Sequence, residues 1–225
     1  MNSNKPYRDR RHAGMELAKH IRNFSGHHST IILALPRGGV PVAWEVAHAL
    51  NLPLDVLIVR KLELPGQPEI AMGAIASGDV TIINHSVTSE LPNPAEFLKP
   101  IIVIEQSKVR QRELLYRNHK PPLNIQRLHA ILVDDGLATG ATMRAAAQAV
   151  RLMGAASCMV ACPVGSVDAC RVLGNEVDQL ICPLVPADYR GVSEYYENFD
   201  DLSDDDVRKI LAEDPRATEP GAVPV

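Results

Sequence analysis

Apolar residues come in short unbroken runs along this chain, separated by stretches of helical periodicity, and the alternation predicts a parallel α/β sheet. Ile31 to Leu35, Leu54 to Val59, His129 to Val133, Cys158 to Cys162 and Gln179 to Cys182 read as strands. Helices are expected from Val40 to Leu50, Ala141 to Met153 and Val167 to Leu173. An earlier amphipathic helix, Tyr7 to about Phe24, would set Ala13, Leu17, Ala18 and Ile21 on one face and end at Ser25-Gly26. Ala71 to Ala76 and Val80 to Ile83 flank Gly78-Asp79, a hairpin signal. After Pro92 and Pro94 a longer charged helix is inserted, about 94–118, ended by Pro121-Pro122. Its Glu/Arg spacing allows i,i+3 and i,i+4 pairs, so a solvent-facing helix is expected; the alternative has Arg112 and Arg117 closing over bound phosphates. The fold class is therefore α/β, a three-layer, mostly parallel twisted sheet with helices on both faces.

Composition narrows the reading. The 225 residues and 46% hydrophobic content suit one domain, taken as 1–213, and the scarcity of aromatics, 4%, makes its core aliphatic. Residues 214–225, rich in Pro, Gly, Ala and Thr, read as a disordered tail. A net charge of -4 and a pI of about 6.1 argue against a general nucleic-acid binder. With no apolar signal segment and no run near the ~18 apolar residues of a spanning helix, a cytoplasmic protein without a membrane partner is expected. Cys158, Cys162, Cys170 and Cys182 lack metal or disulfide spacing and read as buried reduced thiols. The histidines, His27-His28 included, have no partner at metal spacing.

Chemistry concentrates in Ile131 to Met143, which runs apolar strand, Asp134-Asp135, Gly/Thr loop, helix start. Such a strand ends at the carboxyl edge of a parallel sheet, where open α/β folds bind ligands. Gly136 and Gly140 allow close backbone approach, Thr139 and Thr142 offer hydroxyls, and Leu137, Ala138 and Ala141 complete a loop whose amides face an anion. Carboxylates for hydroxyls beside amides for phosphate suit a phosphorylated ribose. The nucleotide-triphosphate loop is excluded because no lysine follows Gly140, and the dinucleotide fingerprint because its glycines directly follow the strand. A second strand-to-helix loop, Leu35-Pro36-Arg37-Gly38-Gly39-Val40-Pro41, carries a cation and paired glycines and reads as an anion site. Arg60-Lys61 stands at the end of the next strand, before the Pro/Gly-rich 62–69 loop, and suits a leaving group of several negative charges.

Residues 131–142 resemble, position for position, the ribose-phosphate motif of the type I phosphoribosyltransferases. About residues 7–212 resemble a bacterial branch of that family, through Tyr7-Arg8-Asp9-Arg10, Leu35-Pro36-Arg37-Gly38-Gly39, Val59-Arg60-Lys61, Met72-Gly73-Ala74, Val133-Asp134-Asp135 and Tyr195-Tyr196-Glu197-Asn198-Phe199. The resemblance implies transfer of the 5-phosphoribosyl group between phosphoribosyl pyrophosphate and a nitrogenous base, assisted by Mg2+ held through substrate and water rather than by direct protein ligands, near Asp134 and Asp135. Asp134 and Asp135 would bind the ribose hydroxyls and stabilise a cationic ring; residues 136–142 would hold the 5-phosphate. Arg37, the Gly38 and Gly39 amides and Lys61 would receive pyrophosphate, with Arg60 a weaker candidate because it can point the other way along the strand. A cis peptide beside Arg37 is implied, as are a 62–69 loop that closes over substrate and a homodimer as the expected assembly. A small hood, from the N-terminal segment and 185–199, would recognise the base, with Tyr189, Tyr195 and Tyr196 able to stack on it. Ala138 departs from hypoxanthine-guanine members, which carry an aspartate there; Glu69, Glu105 or Glu113 could substitute as proton carrier. The alternative is a regulatory binder of phosphoribosyl pyrophosphate or nucleotide.

Overall fold

The computed structural model describes residues 6–22, 29–117 and 120–213. Along the chain run α1 (Arg10–His20), β1 (Thr30–Ala34), α2 (Gly39–Leu50), β2 (Leu54–Val56), β3 (Val59–Leu64), β4 (Gln67–Ala76) and β5 (Val80–Ile83). They are followed by α3 (His85–Thr88), α4 (Pro94–Arg117), β6 (His129–Val133), α5 (Ala141–Leu152), β7 (Ser157–Ala161), α6 (Val167–Gly174), β8 (Gln179–Ile181) and α7 (Asp204–Ala212). The main sheet has the order β2-β1-β6-β7-β8 and is parallel throughout.

Alternation along each central strand builds two cores. Ile32, Ala34, Ile131, Val133, Met159 and Ala161 face the side covered by α1, α2, α4 and α7. Leu33, Leu35, Ala130, Leu132, Val160 and Cys162 face α5 and α6. Both faces are thus buried, which is why these strands read as unbroken apolar runs. All four cysteines are free; Cys158 and Cys162 are buried, whereas Cys170 and Cys182 are only half-buried, correcting the reading that buried all four.

The expected Leu54 to Val59 strand is in fact two. β2 ends at Val56, and the chain leaves the main sheet to enter a second, antiparallel sheet of order β3-β4-β5. Ser77 pins the crossing: its hydroxyl accepts from the Ile58 amide at 3.0 Å, and its own amide donates to the Ile58 carbonyl at 2.9 Å. The hairpin at Gly78-Asp79 is present, with φ of 75° and 58° at its two central residues. Arg60-Lys61 therefore lies inside β3, not at a strand end, and the expected 62–69 loop is mostly strand, turning at Pro65-Gly66. α1 is shorter than its periodicity suggests. It starts where the Asp9 side chain accepts from the His12 amide at 2.7 Å, and Tyr7 joins a bridge to Tyr196 instead. Phe24 to His28, Asn118 and the 214–225 tail lie outside the described residues. α7 has no counterpart among the expected elements; Ser203 and Asp206 form a reciprocal capping box at its start.

α4 faces solvent along one side, with the i,i+3 pair Glu105–Lys108 at 2.6 Å, and packs on the fold along the other. Leu98, Val109 and Tyr116 are buried, and its charges reach outward to other elements: Arg110 to Asp79 at 2.9 Å, Arg60 of β3 to Glu105, and Arg117 to both oxygens of Asp55 at 3.0 Å. Arg117 is thereby spent on β2 and cannot close over a ligand. Its side chain and that of Asp55 are 9% and 13% exposed, so removing one partner strands a largely buried charge. Arg117→Ala is expected to cost about 3 kcal/mol in urea unfolding. Asp55→Ala with Arg117→Met should recover most of that loss, and a loss that persisted would place the stabilisation elsewhere.

Candidate active site

β1 and β6 are neighbours in register, Ala34 opposite Val133, and the Leu35 amide continues the ladder to the Val133 carbonyl at 2.9 Å. Their following loops are therefore adjacent at the carboxyl edge. Contact between them is close. A Cβ on Gly38 would stand 2.1 Å from Asp135 Oδ2, and one on Gly39 would stand 2.6 Å from the Val133 carbonyl and 2.9 Å from Asp134 Cα. Only glycines let the Arg37 loop lie against the acid pair. The Pro36–Arg37 peptide is cis.

The 136–142 loop is anchored on one side and open on the other. Leu137 is buried; its amide donates to the Val164 carbonyl and its carbonyl accepts from the Ser166 amide, both at 2.9 Å. Both its side chain and its amide are thus spent on the fold. The Ser166 hydroxyl donates to the Ala138 carbonyl at 2.7 Å. Ala138 and Thr139 are exposed, Ala141 and Thr142 half-buried. Gly140, with φ of 72°, turns the chain into α5, where the Ala141 amide donates to the Thr139 hydroxyl at 3.3 Å and the remaining first-turn amides have no acceptor within the helix.

A third group closes over the carboxylates. Tyr7 pairs with Tyr196, and the Tyr7 hydroxyl donates to the Pro163 carbonyl at 2.9 Å. Tyr196, fully buried, donates its hydroxyl to the Asp135 carbonyl at 2.6 Å. Arg10 Nε donates to Asp135 Oδ2 at 2.8 Å, with side chains 11% and 14% exposed; its guanidinium lies 3.7 Å from the Phe199 ring centroid and donates to the Asp200 carbonyl at 2.8 Å. Tyr196 cannot stack on a base, because its ring is packed in the fold. Tyr189 and Tyr195 stack on each other at 5.8 Å, and the buried Tyr189 hydroxyl has no hydrogen-bond partner among the described residues. Arg10 and Tyr196 fall within motifs quoted from the sequence, yet no local spacing reveals that both serve Asp135.

Burial raises the Asp134 carboxyl well above the ordinary aspartate range, and the Asp135 charge adds to it; the Asp135 amide, 2.9 Å from Asp134 Oδ1, works the other way. Asp135 is also raised by burial, against the hydrogen bond and charge of Arg10. The cations are dispersed. Arg37, 46% exposed, reaches Asp204 of α7 at 3.8 Å. Arg60 turns to Glu105 on α4, and strand alternation sends Lys61 to the opposite face of β3. No hydrogen bond or ion pair joins Lys61 to either loop among the described residues. Glu105, held by Arg60 and Lys108, has its pKa lowered by both against burial and is no proton carrier; the Glu69 side chain lies outside the described residues.

The phosphoribosyl transferase domain matches residues 8–178. The chain belongs to that family. Two curated relatives, both provisionally named phosphoribosyl transferases, from two strains of Mycobacterium tuberculosis, are 38% identical over 207 residues, or 92% of this chain and 46% of theirs. The chain thus spans about half the length of the curated relatives it matches. Protein TT1426 of Thermus thermophilus, known from a crystal structure, is 37% identical, with a TM-score of 0.82 over 92% of this chain and 98% of that one.

In this phosphoribosyl transferase domain the raised acid pair makes stability depend on pH. A carboxyl whose folded pKa exceeds its unfolded value binds protons more tightly when folded, so stability falls as pH rises from the unfolded value through the folded one. Asp134→Asn, which keeps an acceptor for the Asp135 amide, is expected to raise Tm at pH 7 by about 2–4 °C per kcal/mol relieved, with the gain vanishing near pH 4. Differential scanning fluorimetry across pH reads this directly; a gain that is constant with pH would contradict the assignment.

Proposed function

We propose that the site transfers a 5-phosphoribosyl group from phosphoribosyl pyrophosphate to a nitrogen nucleophile, most simply a nucleobase. The observation that carries this reading is the contact of Gly38 and Gly39 with Asp134 and Asp135, which makes two anion loops and two carboxylates one cleft edge. Asp134 and Asp135 accept the sugar hydroxyls. The amides and hydroxyls of 138–142 hold the 5-phosphate at the start of α5. Gly38 and Gly39 present backbone to the leaving pyrophosphate, with Arg37 beside them. As the bond to pyrophosphate lengthens, positive charge grows on the ribose ring next to two carboxylates that the fold holds in place, so stabilisation is mainly electrostatic. Lys61 belongs to this proposal only as a residue of β3 reached on substrate binding.

The family resemblance implies magnesium. Among the described residues no group of three His, Cys, Asp or Glu could hold a metal ion, and carboxylate oxygens are the donors this ion takes. Asp134 and Asp135 would stand near an ion held through phosphate oxygens and water, without ligating it directly. The ion would supply neutralising charge to the departing pyrophosphate. Among the described residues no helix is long and apolar enough to cross a membrane. A phosphorylated sugar donor would put the proposed activity in the cytoplasm.

Ala138 leaves the loop without a carboxylate for the base, so with Glu105 held by Arg60 and Lys108, proton transfer falls to Glu69, Glu113, the acceptor itself or water. Bases with low proton demand are thereby favoured. A screen of nucleobases with labelled phosphoribosyl pyrophosphate and magnesium, read by pyrophosphate release, is expected to find turnover. The Asp134→Asn, Asp135→Asn double variant should lose at least about a hundredfold in kcat/KM, as expected where electrostatic stabilisation dominates. Tight donor binding without turnover on any base would instead assign a regulatory binder, and a fully active double variant would overturn the site.

A further inference from the structure

A cleft of about 260 Å³ opens between α4 and α7, lined by Arg60, Lys108, Gln111, Arg112, Leu115 and Asp204. Its charges do not balance. Glu105 serves both Arg60 and Lys108, the latter at 2.6 Å, and Asp204 accepts from the Tyr116 hydroxyl at 2.6 Å while standing 3.8 Å from Arg37. Arg112 is half-buried and has no ion-pair partner among the described residues. A guanidinium removed from water without a carboxylate is unfavourable unless a ligand supplies the counter-charge. Arg112 shares the cleft with Asp204, which Arg37 also reaches; burial and the Asp204 hydrogen bond push the Tyr116 hydroxyl up to about 12, with the two cations acting against them.

We propose that this cleft is a second anion site, which takes a phosphate group through Arg112, Lys108 and Arg37 while Asp204 competes for the same cations. Four cations, Arg37, Arg60, Lys108 and Arg112, face two carboxylates, Glu105 and Asp204, leaving charge for a dianion. Asp204 is readily displaced: its pair with Arg37 is long, and the two side chains are 46% and 45% exposed. Arginine forks match phosphate oxygens better than a single carboxylate does. The same chemistry has two sources, the pyrophosphate of the sugar donor reaching past Arg37, or free phosphate. The cleft shares Arg37 with the proposed transfer site, and to that extent rests on it, whereas Arg112, Lys108 and Asp204 lie outside the loops that carry the transfer reading.

Isothermal titration of the full chain with inorganic pyrophosphate tests it. Arg112→Ala should weaken binding about tenfold and Arg112→Lys should recover part of that loss. Asp204→Asn should tighten binding, since asparagine still accepts from Tyr116 but no longer competes for the cations. Wild-type affinity in folded Arg112→Ala, or weaker binding in Asp204→Asn, would overturn the proposal. Saturating phosphoribosyl pyrophosphate that abolishes the Arg112-dependent binding assigns the site to the donor's leaving group; binding that persists assigns it to free phosphate. The Asp134→Asn, Asp135→Asn chain should keep the Arg112-dependent component even if it cannot bind donor, so the two readings fail separately.

Discussion

The pairing of Arg10 with Asp135 organises the site. A carboxylate taken largely out of water needs a counter-charge and hydrogen bonds, and this one draws them from distant parts of the chain. Arg10 comes from the first helix and is itself held by Phe199 and the Asp200 carbonyl; Tyr196 secures the backbone of Asp135; Gly38 arrives from the β1 loop and leaves no room for a side chain. Three segments far apart in sequence are fixed by their common contact with one residue. The start of the first helix and the segment Tyr196 to Asp200 thus support the carboxylate.

That support is incomplete in the direction that matters for chemistry. Asp134 draws a hydrogen bond from the Asp135 amide, yet burial beside a second acid still raises its pKa. A folded chain would be more stable with a neutral residue there. Retaining two adjacent acids in this position suits a ligand that supplies hydroxyl donors and a developing positive charge, and it makes local instability part of the site's design. Arg10 moderates the same charge, so Asp134 and Asp135 are chemically unequal despite their adjacency.

Much of this is readable in the sequence because the relevant physics is local. A strand buried on both faces shows as an apolar run, and the order strand, acids, Gly/Thr loop, helix over 131–142 is legible from neighbouring residues alone. Where sequence and structure part, the deciding contacts are long-range. Leu54 to Val59 is one apolar run, yet Ser77, some twenty residues on, divides it between two sheets. Arg60-Lys61 resembles a strand terminus for that reason. The charged helix reads as solvated because its partners, Asp55, Asp79 and Arg60, lie on other elements. α7 does carry a local signal, Ser203 three residues before Asp206, but a run of acids masks it.

The central claim is that the Arg37–Gly39 loop and the 136–142 loop form one site for one molecule, joined at the acid pair. Amide hydrogen exchange of the full chain with and without phosphoribosyl pyrophosphate and magnesium tests it most directly. The account predicts that the amides of Gly38, Gly39 and residues 138–142 slow together, with the same dependence on ligand concentration. Protection of one loop while the other exchanges unchanged would contradict it.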